Sequence, residues 1–175
     1  MNKWLPRSMS SAKLVAGMGV LIALNLVLNQ FRLVISPTWE INFSFVTLAI
    51  MGAFYGPVYA GVAAGFADIL GFMLSPSGFF FPGFTLNSIL SAVIYGLLLF
   101  RHPYSLKRLV VAKIATTILV SLILTPLWLN MMYQNAFFSW ARIVRTVIQF
   151  PINLAILLFI FKTLERIPSL RKLVE

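Results

Sequence analysis

Apolar residues gather in six blocks along the chain, at positions 13–33, 42–55, 57–74, 82–100, 109–133 and 143–162. Crossing a bilayer as a helix takes about 20 mostly apolar residues. Five blocks meet that length, and the pattern predicts an all-α membrane protein: a six-transmembrane-helix bundle forming a single domain over residues 1–175. The second block is short for a span, so it is either irregular or shielded by its neighbours. Gly56-Pro57 separates it from the third. Pro126 and Pro151 fall inside the fifth and sixth blocks, where they are expected to kink the helix or free backbone groups. The first block exceeds the apolar core of a signal peptide and reads as a retained helix.

Composition strengthens the membrane assignment. The chain is 60% hydrophobic and 10% charged, too apolar for a soluble domain, and its 175 residues leave no room for a sizeable soluble domain beside the bundle. There is no linker, low-complexity tract or clear internal repeat. Cysteine is absent, which excludes disulfides and thiolate metal sites. The single histidine, His102, sits in a charged loop without a partner at ligand spacing, so neither a metal nor a cofactor is expected.

The formal net charge of +10 would suggest nucleic acid in a soluble protein. Here it sorts by membrane side instead. With a cytoplasmic N-terminus, the inner segments hold Lys3, Arg7, Lys13, Arg101, Lys107, Arg108, Lys113, Lys162, Arg166, Arg171 and Lys172, leaving only Arg32, Arg142 and Arg145 outside. This positive-inside bias agrees with six spans and with both termini in the cytoplasm. A five-span arrangement would put the basic C-terminal tail outside. No nucleic-acid partner is expected.

The three outer arginines carry the candidate chemistry. Arg142, Arg145 and Gln149 are spaced by three and four, which places them on one helical face. With Arg32 they form either a guanidinium cluster for an anionic ligand, such as a carboxylate, or a set of side chains reaching the outer headgroups or pairing with Glu40. Asp68 lies inside the third block, where exposure to lipid would cost on the order of 3 kcal/mol. It must therefore face the bundle interior, as an acceptor for the amino groups of a heterocycle or as a structural ion-pair partner. The run Phe79-Phe80-Phe81-Pro82-Gly83-Phe84-Thr85-Leu86-Asn87 puts four aromatics beside a hydroxyl and a carboxamide. It is either an interfacial loop or a surface for a flat, partly polar ligand. Phe79, Phe81, Phe84, Thr85 and Asn87, with Asn130, Gln149, Trp128 and Tyr133, outline a mostly aromatic pocket with a few convergent polar groups. The polar residues cluster in the outer half and no nucleophile–base pair is present, which points to a blind binding pocket over a channel or an enzyme.

Two stripes of small residues follow helical spacing. Ala60, Ala64, Ala67 and Gly71 read as internal packing. Ala12, Ala16, Gly19 and Ala23 lie toward the cytoplasmic end of the first helix, where a partner subunit can approach closely.

A basic chain of this length, with six spans, a small-residue stripe on the first helix and an aromatic loop before the fourth, resembles the substrate-binding S components of energy-coupling factor (ECF) transporters. These are vitamin-uptake systems of prokaryotic plasma membranes. Phe81-Pro82-Gly83-Phe84-Thr85-Leu86-Asn87, Tyr95-Gly96-Leu97 and the stretch with Arg142, Arg145, Gln149, Phe150 and Pro151 look most like the folate-specific member. The resemblance implies a binding subunit that is not an enzyme. A transmembrane T subunit and two ATPase subunits would supply the motor, which agrees with the lack of a Gly-x-x-x-x-Gly-Lys-Ser/Thr loop here. It also implies docking on the T subunit through an Ala-x-x-x-Ala motif, matched by Ala12-Lys13-Leu14-Val15-Ala16. Folate would stack its pterin on Phe or Trp faces and hydrogen-bond to Asn87, Gln149 or Asp68, with its carboxylates near Arg32, Arg142 or Arg145. An S component for another vitamin such as riboflavin is the alternative, and an unrelated channel or enzyme is the more distant one.

Overall fold

The computed structural model describes residues 10–31, 33–36, 39–76, 80–102, 105–133 and 140–166. Its elements are α1 (Ser11–Gln30), β1 (Leu33–Ser36), β2 (Trp39–Ile41), α2 (Ser44–Leu74), α3 (Pro82–Leu99), α4 (Leu106–Thr116), a π-helical segment (Thr117–Leu124), α5 (Thr125–Tyr133) and α6 (Trp140–Glu165). Among the described residues, five helical stretches are long and apolar enough to cross a membrane: Ser11–Gln30, Ser44–Leu74, Pro82–Leu99, Leu106–Met132 and Ile143–Glu165. The all-α expectation is amended by β1 and β2, a short antiparallel pair with Leu33 opposite Ile41 and an irregularity between Val34 and Ser36. The first predicted span reached Leu33, and the β-branched Val34 and Ile35 that follow it favour extended backbone.

Local signals start and stop these helices. The Ser10 side chain caps α1 by accepting from the Lys13 amide. Pro82 opens α3, where its missing N–H costs nothing. α6 runs on through Pro151.

Within α2 the chain doubles back. Gly56 has φ 80° and ψ 172°, outside the helical region and accessible mainly to glycine, and Pro57 then restarts the helix. The contacts on either side show the reversal. Tyr55 packs against Gly17 near the start of α1, whereas Asn25 of α1 bonds both Thr47 and the Ser44 carbonyl. Gly71, on the far side of Gly56, again meets Leu26 and Asn29 of α1. A straight helix would separate residues 44 and 71 by about 40 Å. The short second block is thus shielded, with Val46 through Ala49 and Met51 through Pro57 buried.

Close approach of α3 locks the reversal. A methyl group added at Gly96 would lie 2.5 Å from Pro57 Cα, and one at Gly52 would lie 2.6 Å from the Gly96 nitrogen. These glycines let backbones touch where side chains would hold them apart. Beyond the turn α2 descends antiparallel to α3, meeting Val93 and Ile89 at Gly61, Ile89 at Gly65, and Thr85 and Ser88 at Asp68. A dry core of Val46, Ala49, Ala53, Tyr95, Leu99, Leu109, Ala112, Leu157 and Phe161 ties α2, α3, α4 and α6 together.

The bundle has two distinct ends. A basic end collects the start of α1, Gly56, Arg101, the start of α4 and the end of α6. An aromatic end collects the start of α2, Leu74, the start of α3 and Trp128.

Candidate ligand-binding site

The aromatic end is built on the first turn of α3. Phe81 and Phe84 meet edge to face with centroids 6.0 Å apart, and Phe81 lies 5.7 Å from the Trp128 ring of α5. Gly83 makes this possible. A Cβ there would strike the Phe81 ring and come within 2.6 Å of Trp128 Cδ2. Phe80 packs instead on Phe72 at 5.1 Å, between the end of α2 and the start of α3.

Asn87 lies one turn deeper and is 7% exposed. Its amide donates to Thr125 Oγ1 at 3.1 Å, and its oxygen accepts from the Trp128 indole N–H at 3.0 Å. Thr125 in turn donates to the Val120 carbonyl at 2.8 Å. That carbonyl belongs to the π-helical segment and also accepts the Thr125 backbone N–H five residues on. Pro126 follows and contributes no N–H, which fits the local change of winding. Beyond these two bonds, Asn87 has one further N–H and one further oxygen lone pair.

Asp68 faces the interior, as an intramembrane carboxylate must. It accepts from Thr85 Oγ1 at 2.7 Å and from Ser88 Oγ at 3.0 Å, so both oxygens engage α3 hydroxyls. The structure thus brings Phe81, Phe84, Asn87 and Trp128 together and joins Thr85 to Asp68. Asn130 on α5 and Arg145 and Gln149 on α6 each interact with other groups of the chain. Arg32 and Phe79 lie outside the described residues, as do the side chains of Glu40, Tyr133 and Arg142.

Several polar groups escaped the sequence reading. Asn25, Asn29, Asn42, Ser44 and Thr47 form an amide and hydroxyl network joining α1 to the start of α2. Asn42 Nδ2 donates to Asn29 Oδ1 at 2.7 Å, and Asn42 Oδ1 accepts from the Ser44 amide at 2.7 Å. Asn25 within an apolar block was the available signal. Lys113 is the larger surprise. It was grouped with the flanking cytoplasmic charges, yet it is 8% exposed and its ammonium sits 4.5 Å from the Phe45 ring centroid. On α6, the Asn153 side-chain oxygen is buried without a hydrogen-bond donor. Thr116 and Tyr95 share a hydroxyl contact at 3.4 Å on the adjoining face of α4.

At the basic end, α3, α4 and α6 border a half-open space of about 190 Å³ lined by Leu99, Ser105, Leu106, Leu109, Leu158, Phe161, Lys162 and Glu165. None of the candidate ligand residues borders it. Among the described residues no cluster of His, Asp or Glu is suited to a metal ion. The two small-residue stripes part ways. Ala60, Ala64, Ala67 and Gly71 are buried against neighbouring helices, whereas Ala12, Ala16, Gly19 and Ala23 are exposed, with nothing within 4 Å of a Cβ placed at Gly19.

Comparison with known proteins covers nearly the whole chain. Residues 13–167 match the family described as "ECF transporter, substrate-specific component". A protein of Clostridium novyi named folate transporter FolT is 31% identical over 169 residues, spanning 95% of this chain and 98% of that one. A Leuconostoc mesenteroides protein of the same name is 32% identical over 151 residues, 82% of this chain and 81% of its own. Among solved structures, a crystal structure of FolT bound with folic acid superposes with a TM-score of 0.81 at 34% identity, covering 90% of this chain and 97% of that one.

Proposed function

The chain belongs to the family of substrate-specific components of ECF transporters, and from that premise we propose that it is the folate-binding S component of such an importer. The family consists of multi-pass membrane subunits of transporters and not of enzymes. The observation that carries folate is the full-length likeness, at 34% identity, to a relative whose structure holds folic acid. The aromatic end supports the same ligand. Phe81, Phe84 and Trp128 offer ring faces on which a pterin can stack, and Asn87 retains a donor and an acceptor for a heterocycle edge. Arg145 and Gln149 share a face of α6, where a guanidinium suits the glutamate carboxylates of folate. Arg32 and Arg142 are assigned to the same tail, Phe79 to the stacking wall, and Thr85 and Asp68 to the polar frame beside it.

Six crossings with both termini in the cytoplasm fit this reading. The reversal at Gly56 splits α2 into two antiparallel arms, which with α1, α3, the α4–α5 rod and α6 gives an even count. The basic residues then gather on the inner side and the aromatic end faces outward. Delivery to the cytoplasm requires the T subunit and two ATPase subunits of the energy-coupling module. The exposed stripe Ala12, Ala16, Gly19 and Ala23 is the surface on which the T subunit docks.

Titration of the purified protein in detergent with folate, riboflavin and thiamine, followed by tryptophan fluorescence, tests the assignment. A saturable response to folate alone is expected. A strong response to riboflavin with none to folate overturns it.

A further inference from the structure

Two polar groups, the 8% exposed Lys113 side chain and the buried Asn153 oxygen, fall at one level of the bundle by helical spacing. Lys113 follows Leu109 by one turn on the same face of α4. Asn153 precedes Leu157 by one turn on the same face of α6. Leu109 and Leu157 belong to one dry cluster. The two helices run in opposite directions, so the step from 109 to 113 and the step from 157 to 153 both lead toward the aromatic end. Lys113 and Asn153 therefore cap the same cluster from the same side. Phe45 of α2 forms the third wall, with its ring over the ammonium at 4.5 Å.

The Asn153 oxygen is not satisfied as an interior group should be, and the Lys113 ammonium faces a ring where a fuller partner would be expected. The Asn153 oxygen is buried and accepts no hydrogen bond, so Lys113 does not reach it. Such an orphaned acceptor is destabilising. An ammonium buried at membrane depth needs a partner, and a ring face replaces only part of its hydration. The Lys113 head is also turned inward, where a flanking lysine would extend to the headgroups.

The geometry points to Lys113 and Asn153 as the floor of the ligand pocket, a donor and an acceptor that together read the amide-like edge of the bound heterocycle. This rests on the folate reading and adds residues to it. The pairing selects the ligand group by its chemistry. A carboxylate would satisfy the ammonium but repel the Asn153 oxygen, since it has no proton to give. A purely donor group would leave the ammonium opposed. A ring carbonyl next to a ring N–H answers both, and a pterin carries that edge. The stacking rings of Phe81 and Trp128 and the arginine of α6 then lie farther out, toward the rest of the ligand.

Lys113→Met and Asn153→Leu test the inference, each assayed with folate and with pteroate, which keeps the pterin and lacks the glutamate. Both variants should weaken both ligands by a common factor of about ten or more. Ligand-free thermal stability should hold or rise, because replacing an unsatisfied buried polar group with an apolar one removes a cost. Unchanged affinity for both ligands overturns the inference, and so does a loss confined to folate, which would assign the pair to the glutamate tail. A fall in ligand-free melting temperature matching the loss of affinity overturns it as well, by making the pair structural. Failure of the unmodified protein to bind folate or pteroate would instead strike the folate reading itself.

Discussion

The indole N–H of Trp128 donates to the side-chain oxygen of Asn87 at 3.0 Å, tying the start of α3 to α5 across the aromatic end. That single bond orients a stacking ring with an amide that still has hydrogen-bonding capacity left. Asn87→Ala should therefore act twice. Losing the acceptor strands a partly buried indole N–H and releases Thr125, for a stability cost of about 1–3 kcal/mol. The freed Trp128 ring should also weaken folate by roughly tenfold or more and shift the emission maximum of the ligand-free protein. Thermal unfolding in detergent and fluorescence titration measure both. An unchanged emission maximum with full affinity would contradict the coupling.

Gly96 and Gly19 make a paired prediction. A methyl at Gly96 meets the Pro57 backbone at 2.5 Å, whereas one at Gly19 meets nothing within 4 Å. Gly96→Ala should destabilise by about 1–3 kcal/mol or more, because backbone cannot swing aside as a side-chain tip can. Gly19→Ala should be neutral or stabilising by up to about 1 kcal/mol, from helix propensity. Size-exclusion profiles and melting curves compare the two directly.

Bulk on the exposed α1 stripe should separate binding from transport. Ala16→Trp adds its ring outside the bundle, so folate affinity should stay within about threefold of the unmodified protein while uptake in cells expressing the whole importer falls to background. Ala64→Trp is the contrast. Ala64 is fully buried at 0% exposure, and the substitution should abolish folding. Surviving uptake in Ala16→Trp would remove α1 from the docking surface.

Asp68→Ala should reveal a structural carboxylate. It strands the Thr85 and Ser88 hydroxyls that now donate to it, at about 1–3 kcal/mol in stability. Because both its oxygens are engaged by α3, folate affinity should change by less than about tenfold. A larger loss of affinity without a fall in melting temperature would return Asp68 to direct ligand contact.

The helical blocks were legible in the chain because the demand for apolar length in a bilayer is strong and nearly local. Gly56-Pro57 gave away the break in α2 for the same reason, since glycine and proline act on the backbone where they stand. Direction was harder. That α2 folds back follows from Gly52 and Gly96 allowing α3 close, a pairing of residues more than forty positions apart that no local pattern announces. The aromatic run before α3 was readable as a cluster of rings, and Trp128 did join it. Lys113 was misread because flanking charges and interior charges look alike in a sequence; only the direction of the long side chain tells them apart. Asn153 drew no notice, since one amide in an apolar helix usually bonds to a neighbouring helix, and here its oxygen does not.

The π-helical segment sets the phase of everything after it. Each residue of an α-helix advances the side-chain direction by about 100°. A π-turn takes up about one more residue than an α-turn, so rewinding 117–124 as regular α-helix at unchanged length would turn Thr125 and Trp128 off the face that meets Asn87, with every polar residue of the site still in the chain, whereas deleting one residue there would largely keep their phase. A change of winding in this largely apolar stretch would therefore move the side chains around Asn87 as drastically as replacing them. In this protein, the winding of 117–124 itself decides which side chains meet Asn87.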